Sequence, residues 1–246
     1  MTYIIAEIGV NHDGCLTRAI DLIDHAAHAG ADCVKFQLFE HLHEPHIEHL
    51  ALSREALEYT RGYAKSIDMD WLCSPFTPED ATALWLMGEE RMKVASIGKR
   101  STEWYLSLVE HIKGLGVDTI LSTGGMDFTM VETVFDMLHP SVVLQCTSAY
   151  PCPWTDVNLR VMDSYRAAFG VTVGLSDHTE GIIAPIVAAA NGAEVIEKHL
   201  TYDTKAVGPD HAASLAPYEF HAMVTAVRGM GDMMGDGYKR VMESER

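Results

Sequence analysis

The fold is decided by Val171-Thr-Val-Gly-Leu-Ser-Asp-His178 and Val195-Ile-Glu-Lys-His-Leu-Thr201. Each is a short apolar run that closes on polar residues at a histidine. Between them, Gly181–Asn191 carries apolar residues at helical spacing, so the three segments read as strand, helix, strand. Strands apolar on both faces suit a parallel sheet covered by helices. As neighbours in one sheet, they bring His178 and His199 to the same rim. Two imidazoles flanked by Asp177 and Glu197 make a site for a divalent metal. The plainer alternative is a pair of core histidines satisfied by backbone groups. The matching placement at two consecutive strand ends favours the metal.

The same unit repeats along the chain. Strands are expected at Tyr3–Gly9, Cys33–Gln37, Trp71–Pro75, Met92–Ser96, Thr119–Gly124, Val142–Ser148, Val171–Asp177 and Val195–Thr201. Helices follow at Leu16–Gly30, Arg54–Ile67, Pro78–Met87, Glu103–Gly114, Met130–Leu138, Asn158–Phe169, Gly181–Asn191 and Pro217–Met230. Eight strand–helix units in 246 residues point to one α/β domain, a (β/α)8 TIM barrel over 1–246 with a long loop, 39–52, after the second strand. An open doubly wound sheet is the alternative, but the first strand–helix turn lacks the Gly-rich dinucleotide fingerprint. The Met-rich stretch 230–234 reads as the tail of the last helix packing on the barrel.

Composition narrows the function. Apolar residues make up 48% of the chain, ample for a core. No apolar run approaches the ~20 residues of a membrane span, so no membrane association is expected. The net charge of −17 argues against a nucleic-acid partner. An anionic substrate must then be met by a few placed cations. The N-terminus lacks the basic region of a signal peptide. The five cysteines are scattered, so reduced thiols in a cytoplasmic protein are expected. Cys33, Cys73 and Cys146 read as small buried hydrophobes.

In a barrel the working residues sit where strands end. Those positions hold Glu7, Asn11, His12 and Asp13; Lys35 and Gln37; Ser74; Lys93 and Ser96; Ser122; Gln145, Ser148 and Tyr150; Ser176, Asp177 and His178; Glu197, Lys198 and His199; and then Asp210. Lys35 and Lys93 lie inside strands, where an unpaired lysine is almost never buried. Two inward lysines among Ser96, Ser122 and Ser176 describe a site for phosphate or carboxylate. The structural alternative pairs each lysine with a carboxylate such as Glu7 or Glu197, and the two readings are compatible. The histidine-dense tract Glu40–His49 lacks metal-site spacing and reads as a solvated, mobile loop that could serve as a lid.

Ala6-Glu-Ile-Gly-Val-Asn-His-Asp-Gly14, Val34-Lys-Phe-Gln37, Leu121-Ser-Thr-Gly-Gly125, Gln145-Cys-Thr-Ser-Ala-Tyr-Pro151, Gly174-Leu-Ser-Asp-His-Thr179, Ile196-Glu-Lys-His199 and Gly208-Pro-Asp-His211 together resemble the N-acetylneuraminate (sialic acid) synthase family. The resemblance covers nearly the whole chain. It implies a barrel enzyme that condenses phosphoenolpyruvate with an N-acyl hexosamine, such as N-acetylmannosamine, and releases phosphate. It implies a divalent metal on His178 and His199, manganese first, with magnesium or cobalt as alternatives. It assigns Lys35, Lys93, Ser96, Ser122, Ser148 and Ser176 to phosphoenolpyruvate, and Asp13, Gln37, Tyr150 and Asp210 to the sugar. Asp13, Glu197 and Asp210 are the carboxylates that would position or deprotonate the attacking water, with Lys35 and Lys93 stabilising the phosphate.

There are departures. Family members continue into a small antifreeze-like domain that covers the partner's site in a homodimer and supplies an arginine. This sequence stops at Arg246, so a separately encoded lid domain or a different mode of recognition is expected. Gln145 stands where the family usually has histidine. Ser96-Ile-Gly-Lys-Arg100 stands where it has Ser-Gly and an acid. Lys99 and Arg100 suit a more anionic acceptor or replace the missing arginine. Alternatives to the synthase are a 3-deoxy-sugar-acid synthase acting on a phosphorylated aldose, a sugar-binding barrel that is non-catalytic or half of a split enzyme, and a Schiff-base aldolase.

Overall fold

The computed structural model describes residues 1–40 and 47–246. Most of the histidine tract thus lies outside the described residues. The elements in order are β1 (Tyr3–Gly9), α1 (Leu16–Ala29), β2 (Cys33–Leu38), α2 (Arg54–Ser66), β3 (Asp70–Pro75), α3 (Pro78–Leu86), β4 (Arg91–Val94), α4 (Thr102–Leu115), β5 (Asp118–Ser122), α5 (Phe128–Leu138), β6 (Val142–Cys146), α6 (Val161–Phe169), β7 (Thr172–Asp177), α7 (Ile183–Ala190), β8 (Val195–His199) and α8 (Pro217–Met234). The strands pair in the order β3-β2-β1-β8-β7-β6-β5-β4. Every ladder is parallel. β3 and β4 pack against each other across the remaining seam. The result is the expected (β/α)8 TIM barrel, nearly closed.

Helix ends follow from local chemistry. Ser53, Thr77, Ser101 and Asp127 each accept a hydrogen bond from a first-turn N–H of α2, α3, α4 and α5. Gly30 closes α1 in the left-handed region at φ 85°. α6 begins at Val161, three residues later than the expected 158, because Trp154–Asp156 forms its own 3-10 turn and Asn158 stands at φ 47°. α8 runs to Met234 and absorbs the methionine-rich stretch. Met233 and Met234 are exposed, so that end does not pack on the barrel as expected.

Period-two alternation fills the barrel in layers. Ile5, Cys33, Leu72, Ile120, Leu144 and Val195 form an apolar plug in the lumen. Two residues further along the same strands stand Glu7, Lys35, Ser74, Ser122, Cys146 and Glu197. The next step brings Gln37, Phe76, Ser148 and His199 to the C-terminal rim. The intervening residues, such as Ile4, Ala6, Ile8, Val34 and Phe36, pack against the helices.

Candidate active site

A cavity of about 290 Å³ opens at the C-terminal ends of the strands. It is lined by Glu7, Lys35, Gln37, Ser74, Phe76, Lys93, Ala95, Ser96, Gly98, Lys99, Arg100, Ser122, Cys146, Ser148, Tyr150, Ser176, His178, Glu197 and His199. A larger groove, about 610 Å³, lies at the opposite end beside α8, but its one arginine, Arg228, bonds the Thr2 and Gly30 carbonyls and Asp32.

The floor is an ionic layer on the apolar plug. Lys35 Nζ lies 2.8 Å from Glu7 Oε2 and 3.8 Å from Glu197 Oε1. Lys93 Nζ lies 3.6 Å from Glu197 Oε2 and donates to Ser122 Oγ at 2.6 Å. Ser176 Oγ donates to Glu197 Oε1 at 3.0 Å, and Gln37 Nε2 to Glu7 Oε1 at 2.8 Å. All four charged side chains are buried, so environment sets their protonation. Burial pushes the Glu7 carboxyl up to about 7 against the pull of Lys35. Burial would also raise Glu197, but Lys35 and Lys93 hold it below its ordinary value. Burial alone would depress Lys35; Glu197 and Glu7 outweigh it and raise its pKa. Lys93 is held below its ordinary value by burial.

Above Lys93 is a notch of small groups. Ser96 Oγ accepts from the Gly124 N–H at 3.0 Å. A Cβ on Gly124 would stand 2.3 Å from Ser148 Oγ and 2.6 Å from Ser96 Oγ, so only glycine fits. Ser148 Oγ is buried and has no hydrogen-bond partner among the described residues.

The two histidines meet on the rim as expected, with ring centroids 5.4 Å apart. His178 Nδ1 is 2.8 Å from the Thr147 carbonyl, which can only accept. Nδ1 therefore carries the proton and Nε2 presents the lone pair, the arrangement typical of a metal-ligating histidine. His199 Nδ1 is buried, 3.6 Å from Asp210 Oδ2, and has no hydrogen bond among the described residues. Burial and the neighbouring His178 hold His199 well below its ordinary pKa, so it is the neutral imidazole a metal needs. Burial would lower His178 too, but Cys146 reverses the shift. Among the described residues no three His, Cys, Asp or Glu side chains converge as a metal set. The pair fits an ion completed by substrate and water. Tyr150 covers it, its ring 4.0 Å from His178 and 5.8 Å from His199.

Three expectations are corrected. Asp177 does not flank the histidines: it turns to the outer face of the sheet, where Lys198 Nζ donates to its Oδ2 at 2.7 Å. Cys146 is more than a buried hydrophobe, since it lines the cavity, with Sγ 3.2 Å from Ser96 Oγ and 3.9 Å from His178 Nδ1. Gln145 faces the helices, bonded to the Val157 carbonyl and the Tyr165 hydroxyl. Asp13 stands outside the cavity lining, accepting from Arg18, from Tyr202 OH at 2.7 Å and from His211 Nε2 at 3.1 Å. Asn11 is bonded to the Leu200 carbonyl and Ser214. Asp210 is also outside the lining, but its Oδ2 lies 3.3 Å from where a Gly9 Cβ would stand, beside Glu7 and Gln37. Glu7 belongs to the floor as much as Glu197 does. The signal for it was a carboxylate in an apolar strand two residues above Ile5.

Comparison with known proteins agrees with this geometry. The NeuB family pattern matches residues 43–239. The N,N'-diacetyllegionaminic acid synthase of Campylobacter jejuni is 36% identical over 274 residues, covering 100% of this chain and 81% of that protein. The human N-acetylneuraminate-9-phosphate synthase is 32% identical, covering 99% of this chain and 74% of that protein. The crystal structure of N-acetylneuraminic acid synthetase from Leptospira borgpetersenii superposes with a TM-score of 0.89 at 29% identity, over 99% of this chain and 88% of that one. With a synthase fold, its polar rim and this extent of matched sequence, the chain belongs to the NeuB family.

Proposed function

We propose that the rim cavity condenses phosphoenolpyruvate with the aldehyde of an N-acyl hexosamine, giving a nonulosonic acid and phosphate. One observation carries this reading: two buried lysines, balanced by Glu7 and Glu197 and ringed by serine hydroxyls, lie directly under a histidine pair. Lys35, Lys93, Ser96, Ser122, Ser148 and Ser176 hold the phosphate and carboxylate of phosphoenolpyruvate. Gln37, Tyr150, Asp13 and Asp210 bind the sugar. His178 and His199 would hold a divalent ion, manganese in this reading, which would polarise the aldehyde oxygen when bound.

In the reaction the enol carbon C3 forms a bond to the aldehyde carbon, and positive charge develops at C2. Water adds at C2, and the tetrahedral adduct breaks its C2–O bond to phosphate, leaving the ketone. Glu7, which burial brings to about 7, is the floor carboxylate best matched to take the proton from that water near neutrality. Glu197, ionised between two lysines, keeps them charged as phosphate departs. The buried floor excludes bulk water and so strengthens these contacts.

The test is phosphate release with a panel of N-acyl and phosphorylated sugars, with manganese and after chelation. Release is expected only with metal, phosphoenolpyruvate and one class of acceptor together. Release that survives exhaustive chelation would overturn the metal assignment. No release with any acceptor would overturn the reaction.

A further inference from the structure

Outside the cavity lining, a second polar cluster stands on the same rim, between the β1–α1 and β8–α8 connections. Its centre is Asp13, at φ 49° in a turn where the Gly14 N–H donates to His12 Nδ1. Asp13 Oδ2 accepts from Arg18 and from Tyr202 OH, and Oδ1 accepts from His211 Nε2. A carboxylate has about four acceptor directions, so the protein itself fills all but about one. His211 is buried, with Nδ1 2.6 Å from Thr201 Oγ1. Asn11 laces the two connections a second time, donating to the Leu200 carbonyl and to Ser214 Oγ. Ser214 Oγ in turn donates to the Asp210 carbonyl. The cluster is thus tied to Asp210, whose Oδ2 lies 3.6 Å from His199 Nδ1.

This scaffold offers Arg18 and Tyr202 to solvent. The Arg18 side chain is 36% exposed and Tyr202 40%, against 21% for the Asp13 side chain between them. The Arg18 guanidinium carbon lies 4.5 Å from the Tyr202 ring centroid, so stacking occupies its face and leaves recognition to its in-plane N–H groups. Nη1 serves Asp13 and the His12 carbonyl, while Nη2 and Nε make no hydrogen bond among the described residues. Tyr202 donates its one proton to Asp13, so its oxygen is left to accept. Fixed N–H donors beside a phenolic acceptor match a hydroxyl group, which accepts from one and donates to the other. The Arg18 charge is already met by Asp13, so the pair suits an uncharged group. A phosphate ester would meet the Asp13 carboxylate along with the guanidinium.

We propose that Arg18 and Tyr202 form an outer subsite that takes a hydroxyl from the far end of an uncharged, polyhydroxylated acceptor. The proposal rests on the acceptor given under Proposed function and adds which part of it is read, and where. With the aldehyde at the histidine pair, an open chain running outward past Asp210 brings its C4–C6 hydroxyls to this pair. The three donors on Asp13 hold both side chains in place before the sugar arrives, which lowers the entropy lost on binding.

The test uses the full chain and the variants Arg18→Leu, Arg18→Lys and Tyr202→Phe. Calorimetry with manganese measures binding of N-acetylmannosaminitol, which has no aldehyde and cannot react, and of its 4-, 5- and 6-deoxy forms. In the wild type one deoxy form should bind about tenfold or more weakly than the parent, the loss of one charge-assisted contact. In Arg18→Leu the parent should weaken by about the same factor and that deoxy form no further. Arg18→Lys should not restore binding, because an ammonium has neither the fork nor the stacking face. Phosphoenolpyruvate affinity should stay at the wild-type value in all three variants. Parent binding unchanged in Arg18→Leu, an equal loss for the parent and every deoxy form, full rescue by lysine, or a matching loss of phosphoenolpyruvate affinity each overturns the proposal. So does a wild type that binds no alditol. Melting temperatures show that the variants fold; if Arg18→Leu does not, Tyr202→Phe carries the same comparison. A wild type that binds the alditol but releases no phosphate with any sugar would refute the proposed reaction, while the deoxy series still decides the subsite.

Discussion

At Gly124, one methyl group would close the serine notch, since its Cβ would stand 2.3 Å from Ser148 Oγ. Gly124→Ala should raise the KM for phosphoenolpyruvate about tenfold or more and cost roughly 1–3 kcal/mol of stability from overpacking, read by phosphate-release kinetics and urea unfolding. At His199, Nδ1 is buried with no hydrogen bond among the described residues, so removing the ring breaks none that the structure describes there. Losing a second-shell partner costs metal sites about 10–100-fold in affinity, so His199→Ala should cost more than about 100-fold; manganese titration by electron paramagnetic resonance measures it directly. At Glu7 the sign is set by burial, which raises the folded-state pKa from 4.5 to about 7. A raised carboxyl favours the folded state below the unfolded value, and that contribution is lost as pH rises through about 7. The stability of the wild type relative to Glu7→Gln should therefore fall from pH 5 to pH 8 in urea titrations. A difference that rises over that range would contradict it.

At the scale of elements, the strands were the most legible feature. Apolar runs closed by polar residues marked all eight, and a lysine inside two of those runs marked the ionic interior. Strand ends were less legible. Residues one apart face opposite ways, so placing Asp177 with His178, or Gln145 rather than Cys146 at the rim, was a period-two error that the ladder corrects. That error hides a device. Lys198 and Asp177 form a buried pair on the outer face of β7 and β8, immediately before the two histidines. Lys198 also donates to the Thr179 carbonyl. Removing one partner should leave an uncompensated buried charge, so Lys198→Met should cost about 3–5 kcal/mol in denaturant unfolding. The double variant with Asp177→Leu should recover part of that loss.

At the scale of the whole molecule, the barrel collects residues from eight strand ends that are far apart in sequence. Their pairing partners were not legible from spacing. The lysines were visible, but which carboxylate each would meet depended on barrel closure: Glu7 and Glu197 come from β1 and β8, which are adjacent only because the first and last strands pair. The network that draws Asp13 to Arg18, Tyr202 and His211 likewise depends on β8 returning beside β1. The most direct measurement of the proposed chemistry is the oxygen isotope in released phosphate. The protein, manganese, phosphoenolpyruvate and an N-acyl hexosamine are incubated in ¹⁸O-water. Attack of water at C2 breaks the C–O bond, so acceptor-dependent release of unlabelled phosphate is expected. Labelled phosphate, formed without need of an acceptor, would show simple hydrolysis at phosphorus and contradict the assignment of this cavity to carbon–carbon bond formation.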